Sequence, residues 1–293
     1  MRIVFIGAVE FSLRALERLV SLGADIVGIC TLKESKFNAD HIDLASVGAA
    51  HGIPCFYAED INSPAALTWV NGKAPDVIFC FGWSKLLKQE LLTLAPLGVV
   101  GFHPAALPAN RGRHPIIWSL VLGLNKTAST FFFMDEGADS GDILSQREIL
   151  ISDQDDARTL YNKVTANALV QIEEFLPSLS RGSAQRIKQS QLTANTWRKR
   201  GRADGIIDWR MSAQTVHNLV RGLTKPYVGA HFLADGKEIK VWKTRLYSPF
   251  ENNIEPGKII LHSDNGPVVK CGEGAICLIE TEPHFVANVG DYL

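Results

Sequence analysis

Histidine is the side chain best matched to proton transfer near neutral pH. Among the eight in this chain, His103 has the most telling setting. It follows the apolar run Val99-Val100-Gly101-Phe102 and precedes Pro104, which places it at the carboxyl end of a buried strand. Downstream lies Met134-Asp135-Glu136-Gly137-Ala138-Asp139-Ser140-Gly141-Asp142, with four carboxylates set among glycines. Carboxylates of this kind can ligate a hard cation, but the run lacks the alternating spacing of a calcium loop. They can also supply one buried carboxylate that orients and charges His103, the base-plus-orienter arrangement of acyl transfers. A solvated acidic turn is the plainer reading of the same residues.

Other chemistries are excluded or unsupported. Gly7-Ala8-Val9-Glu10-Phe11-Ser12 closes the first apolar run, yet it carries one glycine where a dinucleotide fingerprint needs three. NAD and FAD are rejected on that ground. The turn either joins a strand to a helix or, through Gly7 and Glu10, lines an acceptor pocket. The five cysteines form no C-x-x-C pair, so neither a disulfide framework nor a zinc site is expected. Thirty basic against thirty-one acidic residues argues against a dedicated nucleic-acid binder. The opening run Arg2 to Ile6 is too short for a signal peptide, and no stretch approaches the roughly 18 apolar residues of a membrane span. A cytoplasmic protein without a membrane partner is expected. A homodimer is compatible with the sequence but not required by it.

The elements that must position these residues follow from periodicity. At 293 residues with 46% hydrophobic content, the chain is long enough for two globular domains. Strands are expected at Arg2–Ile6, Ile26–Cys30, Pro54–Tyr57, Val77–Phe81 and Val99–Phe102, with helices at Phe11–Leu22, His41–Ala50, Ala65–Val70 and Leu86–Leu94 between them. Such alternation predicts an open, mostly parallel Rossmann-like α/β sheet. Ligands of such sheets bind beyond the carboxyl ends of the strands at the switch point, here the loops after Ile6, Phe81 and Phe102. A helix at Ile116–Leu124, a hairpin of Ser129–Met134 and Ile143–Ile151 around the acidic loop, and a long helix at Ala157–Leu179 follow. Composition turns polar after Ser180, which sets the expected domains at 1–180, a linker at 181–203 and a β-rich domain at 204–293. That second domain should hold a helix at Thr215–Leu223 and five short strands, with turns at Asp235-Gly236 and Asn265-Gly266, in a small OB-like barrel or sandwich.

The pattern H-P-x-x-L-P-x-x-R-G at His103 to Gly112, followed by M-D-E-G-x-D-x-G-D-I at Met134 to Ile143, resembles the folate-dependent formyltransferase family. Asp204-Gly205-Ile206-Ile207-Asp208-Trp209 is a third matching piece, and the likeness covers nearly the whole chain. The resemblance implies a formyl donor, N10-formyltetrahydrofolate, and a catalytic trio of Asn, His and Asp. His103 and Asp139 match two of the three, whereas the asparagine position holds Gly101. A missing oxyanion donor costs about 3 kcal/mol. Asn110, a backbone N–H exposed by Gly101, or a water could take its place. By family position the folate slot is formed by Phe81, Gly82, Trp83 and Leu86, closed by Gly137, Asp139 and Asp142.

The resemblance is nearest to sugar N-formyltransferases, through Arg111-Gly112-Arg113-His114-Pro115-Ile116-Ile117-Trp118. The expected acceptor is the amine of a nucleotide-linked amino sugar used in surface glycans. Arg111, Arg113 and His114 are the candidates to meet its diphosphate, unless Arg111 salt-bridges the acidic loop. Methionyl-tRNA is the second acceptor. The eleven basic and eleven acidic residues from Arg200 onward weigh against it, and Arg198-Lys199-Arg200-Gly201-Arg202 is the one basic run that favours it. A formate-releasing hydrolase and a non-catalytic folate- or sugar-binding module are the rivals from other classes.

Overall fold

The computed structural model describes residues 1–35 and 39–293. The alternation expected from the sequence is present. In chain order the first half contains β1 (Arg2–Ile6), α1 (Glu10–Ser21), β2 (Asp25–Thr31), α2 (Ala45–His51), β3 (Cys55–Tyr57), α3 (Pro64–Asn71), β4 (Val77–Cys80), α4 (Gln89–Leu92) and β5 (Val99–His103). Then come β6 (Arg111–Gly112), α5 (Pro115–Val121), β7 (Lys126–Phe133), β8 (Ile143–Leu150), α6 (Ala157–Ser180) and β9 (Thr196–Trp197). The remainder holds α7 (Ala213–Leu223), β10 (Ala230–Ala234), β11 (Lys237–Tyr247), β12 (Ile259–Ser263), β13 (Gly266–Lys270) and β14 (Ala275–Glu282).

The chain divides into two compact units: residues 1–115, 127–149 and 162–197, and residues 116–126, 150–161 and 198–293. In the first, seven strands form one sheet in the order β3-β2-β1-β4-β5-β7-β8. The five strands from β3 to β5 are parallel, and β7 joins antiparallel to β5. The order reverses between β1 and β4, so the crevice expected for a ligand opens at their carboxyl ends. Strand alternation divides the core. Val4, Ile6, Ile78 and Cys80 pack into one cluster with Leu91 and Val99. On the other face the rings of Phe5, Phe79, Phe81, Phe131 and Phe175 form a chain of edge and stacked contacts at 4.9–5.5 Å between centroids. Phe175 brings α6 onto that face.

Local chemistry sets the helix starts. Ser63 caps α3, its hydroxyl accepting from Ala66 N, with Pro64 in the first turn. The helix expected at Leu86–Leu94 shrinks to the single turn of α4, because residues 82–88 leave β4 as a loop. Asn62 pins that loop, donating to Leu86 O and accepting from Lys88 N. Among the described residues no helix is long and apolar enough to cross a membrane.

In the second unit, β10 to β14 form one antiparallel sheet in the order β10-β11-β14-β13-β12, the β-rich domain anticipated. The amphipathic α7 covers it through Val216, Leu219, Val220 and Leu223. Its Gly222 faces Val121, Leu120 and Ile117, where a Cβ would lie 3.0–3.4 Å from them. Its Arg221 donates to Ser152 O and Asp155 O. These contacts carry residues 116–126 and 150–161 into this unit.

Candidate active site

His103 ends β5, beside β4, with only a small part of its side chain exposed. Its Nε2 lies 2.8 Å from the main-chain carbonyl of Asn110. A carbonyl only accepts, so Nε2 carries a proton, and in the neutral ring Nδ1 holds the lone pair. Nδ1 is 3.6 Å from Asp139 Oδ2. That is too long for a hydrogen bond and close enough for the carboxylate to stabilise a protonated ring. The same Oδ2 accepts from Gly112 N at 2.9 Å. Asp139 and Asn110 both sit in the left-handed backbone region, at φ 55° and 66°. The loops bend there to aim one group each at His103.

Three loops are thereby linked. Arg113 donates to Ser84 O at 2.8 Å, tying the loop after β5 to the loop after β4. Gly112 ties it to the acidic loop. A strand pairing absent from the sequence reading holds the middle loop in place. β9 runs parallel to β6, pairing Thr196 with Arg111 and Trp197 with Gly112. Asn195 reinforces it, its side-chain Oδ1 accepting from Asn110 N at 2.7 Å.

The remaining sequence candidates have distinct placements. Gly101 faces Met134 and Phe132. An added Cβ would stand 2.8 Å from Met134 Cγ and 3.0 Å from Phe132 Cζ, so the space an asparagine would need holds those side chains. The Asn110 contact to His103 is made by its main-chain carbonyl rather than by its side chain. Phe81, expected in the folate slot, is instead fully buried among aromatic rings, its N–H donating to Ile6 O and its carbonyl accepting from Ser12 Oγ at 2.5 Å, so it offers no surface to a ligand. Gly7 and Gly82 permit the close approach of β1, α1 and the β4 loop: a Cβ at Gly7 would be 2.6 Å from Phe81 O, and one at Gly82 2.3 Å from Val9 Cγ2. Glu10 opens α1, with its N–H donating to Asp40 O. Leu86 is 65% exposed on the loop. In the acidic loop, Asp135 Oδ1 accepts from Gly137 N and Ser140 Oγ, and Asp142 O accepts from Phe133 N where the hairpin begins. His114 follows Arg113 with φ 56°. Arg111 is buried, and its guanidinium donates to the side-chain oxygens of Gln189 and Gln191.

Residues 1–172 match the model of the formyl transferase family, and residues 200–285 match its C-terminal domain. The chain belongs to the formyl transferase family. It is similar to a methionyl-tRNA formyltransferase of Caldanaerobacter subterraneus subsp. tengcongensis, with 33% identity over 99% of this chain and 94% of that protein. In structure it is similar to an N-formyltransferase from Helicobacter canadensis in complex with folinic acid and dTDP-3-aminofucose, at a TM-score of 0.71 and 15% identity, covering 94% of this chain and 98% of the other. It is also similar to HypX from Aquifex aeolicus in complex with tetrahydrofolic acid, at a TM-score of 0.67 and 20% identity, covering 96% of this chain and 44% of that one. These structural likenesses speak to the fold.

This formyltransferase family takes its formyl group from N10-formyltetrahydrofolate. In the loop after β4 the indole Nε1 of Trp83 is buried with no hydrogen-bond partner among the described residues. A buried donor without a protein acceptor is rare and costly, and an acceptor on a bound pterin would satisfy it.

Proposed function

We propose that this formyltransferase moves the formyl group of N10-formyltetrahydrofolate onto the amino group of a nucleotide-linked amino sugar, with His103 and Asp139 as the catalytic pair. The observation that carries the catalytic reading is the placement of Asp139 Oδ2 3.6 Å from His103 Nδ1 while Asn110 O holds the proton on Nε2.

The folate supplies the formyl carbon as the electrophile. The Asn110 carbonyl fixes the tautomer, so Nδ1 is the nitrogen able to take the proton that the attacking amine must lose. Because the carboxylate stands beyond hydrogen-bond distance, Nδ1 stays open to that proton. The ring then becomes a cation beside Asp139, whose charge stabilises it, and Gly112 N–H keeps the carboxylate in place. His103 next delivers the proton to the leaving nitrogen. Trp83 and Gly82 form one wall of the folate slot, with Gly137 to Asp142 on the other side.

Charge supports the sugar acceptor. The arginines of the basic run that would favour RNA have acidic or carbonyl partners within the chain. Arg198 pairs with Asp204, and Arg202 with Glu238. Arg200 donates to Asp204 O and lies 4.5 Å over the Trp118 ring. Methionyl-tRNA is the second reading, favoured by 33% identity along the whole chain to an enzyme of that name.

The test is a transfer assay. Purified protein and N10-formyltetrahydrofolate meet UDP- and dTDP-linked amino sugars and methionyl-tRNA, and mass spectrometry reads one added formyl group. Formylation of a sugar is expected. Formylation of the tRNA alone replaces the acceptor. Folate release with every acceptor omitted, at the same rate, replaces transfer with hydrolysis.

A further inference from the structure

We propose that Gln189, in the segment between α6 and β9, is a positioning residue that holds Asp139 at its working distance from His103. The inference rests on the catalytic reading of that pair. Gln189 Nε2 donates to the main-chain carbonyls of Asp139 at 2.9 Å and Gly141 at 2.7 Å. Its Oε1 accepts from Arg111 Nε at 3.1 Å and from an Arg111 Nη at 2.7 Å. Every hydrogen-bonding site of the amide is thus used, which fixes its orientation: reversing it would set the carbonyl against two carbonyls.

The need for such a clamp is visible in the loop. Residues 135–138 are exposed, so packing does little to hold that stretch. Asp139 follows with φ 55°, a conformation that a non-glycine residue keeps only when its surroundings impose it. Gln189 supplies that constraint from the main-chain side, and Gly112 N–H supplies it at the carboxylate. The buried Arg111 anchors Gln189 and precedes Gly112 in β6. One short path therefore sets both ends of Asp139. Arg111 acts here as the support of the clamp.

Two variants test this. Gln189→Met keeps the volume and removes all four hydrogen bonds, whereas Gln189→Glu keeps the Arg111 contact and removes both donors to the loop. The first readout is the amide proton resonance of Gly112, which reports the bond to Asp139 without any ligand. The second is steady-state transfer with the acceptor that the wild type formylates. In both variants the Gly112 resonance should shift, and kcat should fall about ten- to a hundred-fold, the scale of a misplacement near 1 Å. The donor KM should rise by a smaller factor than kcat falls, because the clamped carbonyls of Asp139 and Gly141 also lie in the loop that closes the folate slot. An unmoved Gly112 resonance, or wild-type kcat in either variant, overturns the proposal. His103→Ala is run alongside: wild-type turnover there would sink the catalytic reading itself, leaving the Gly112 resonance to report on the clamp alone.

Discussion

At the scale of single residues, the site depends on which nitrogen of His103 holds the proton. The Asn110 carbonyl decides this, and it can do so because Asn110 adopts φ 66°. Asparagine tolerates that region better than most residues. Asp139→Asn should keep the acceptor for Gly112 N–H yet remove the charge that stabilises the ring. Turnover should drop roughly a hundredfold or more, with the melting temperature little changed; steady-state kinetics beside a thermal melt check both. The thiols give a pH-linked prediction. Burial pushes Cys30, Cys80 and Cys271 up to about 12, so they remain neutral and unreactive at pH 8. A thiol reagent at pH 8 should leave these three unmodified in the native protein and label all five cysteines once it is unfolded.

At the scale of elements, β1, β2, β4 and β5 of the parallel sheet were legible because each is an apolar run that lies largely buried. His103, Asp139 and Gly101 were legible because motif spacing carries them. The β6–β9 pairing was not. It joins two-residue strands about 85 positions apart, with no periodicity to reveal either. Gln189 and Asn195 were missed for the same reason: they lie in a polar stretch whose composition reads as a linker, and what distinguishes them is the hydrogen bonds they make across the fold. Gly101 gained its explanation from packing. Gly101→Asn should overpack against Met134 and Phe132, at a cost of about 1–3 kcal/mol, and should not raise turnover. Shortening the neighbour in Gly101→Asn/Met134→Ala should recover part of the lost melting temperature. The turn at Arg202–Gly205 offers a pH test. Arg198 and the Gly201 N–H hold the Asp204 carboxyl well below the usual carboxylate range. A depressed folded value stabilises the protein above the ordinary carboxylate pKa, and that contribution fades as the pH falls towards the folded value. Asp204→Asn should therefore lower the melting temperature at pH 7 more than at pH 2.

At the scale of the whole molecule, charge bears on the proposed acceptor. The C-terminal region from Arg200 balances eleven basic residues with eleven acidic ones, and the arginines of its leading basic run are taken up within the chain. A tRNA site built on phosphate contacts would lose affinity steeply with added salt. Transfer to a nucleotide sugar should depend on salt far less. The five-stranded antiparallel sheet was legible from turn signals such as Asp235-Gly236 and Asn265-Gly266. The packing of residues 116–126 and 150–161 with it was not, because Gly222 and Arg221 meet partners distant in sequence. The central claim is that formyl transfer runs through His103. Its most direct test is the rate of formyl transfer by His103→Ala against the wild type, with circular dichroism to verify the fold. A fall of about a hundred- to ten-thousand-fold is expected for loss of the general base; a folded variant within threefold of the wild-type rate would contradict the account.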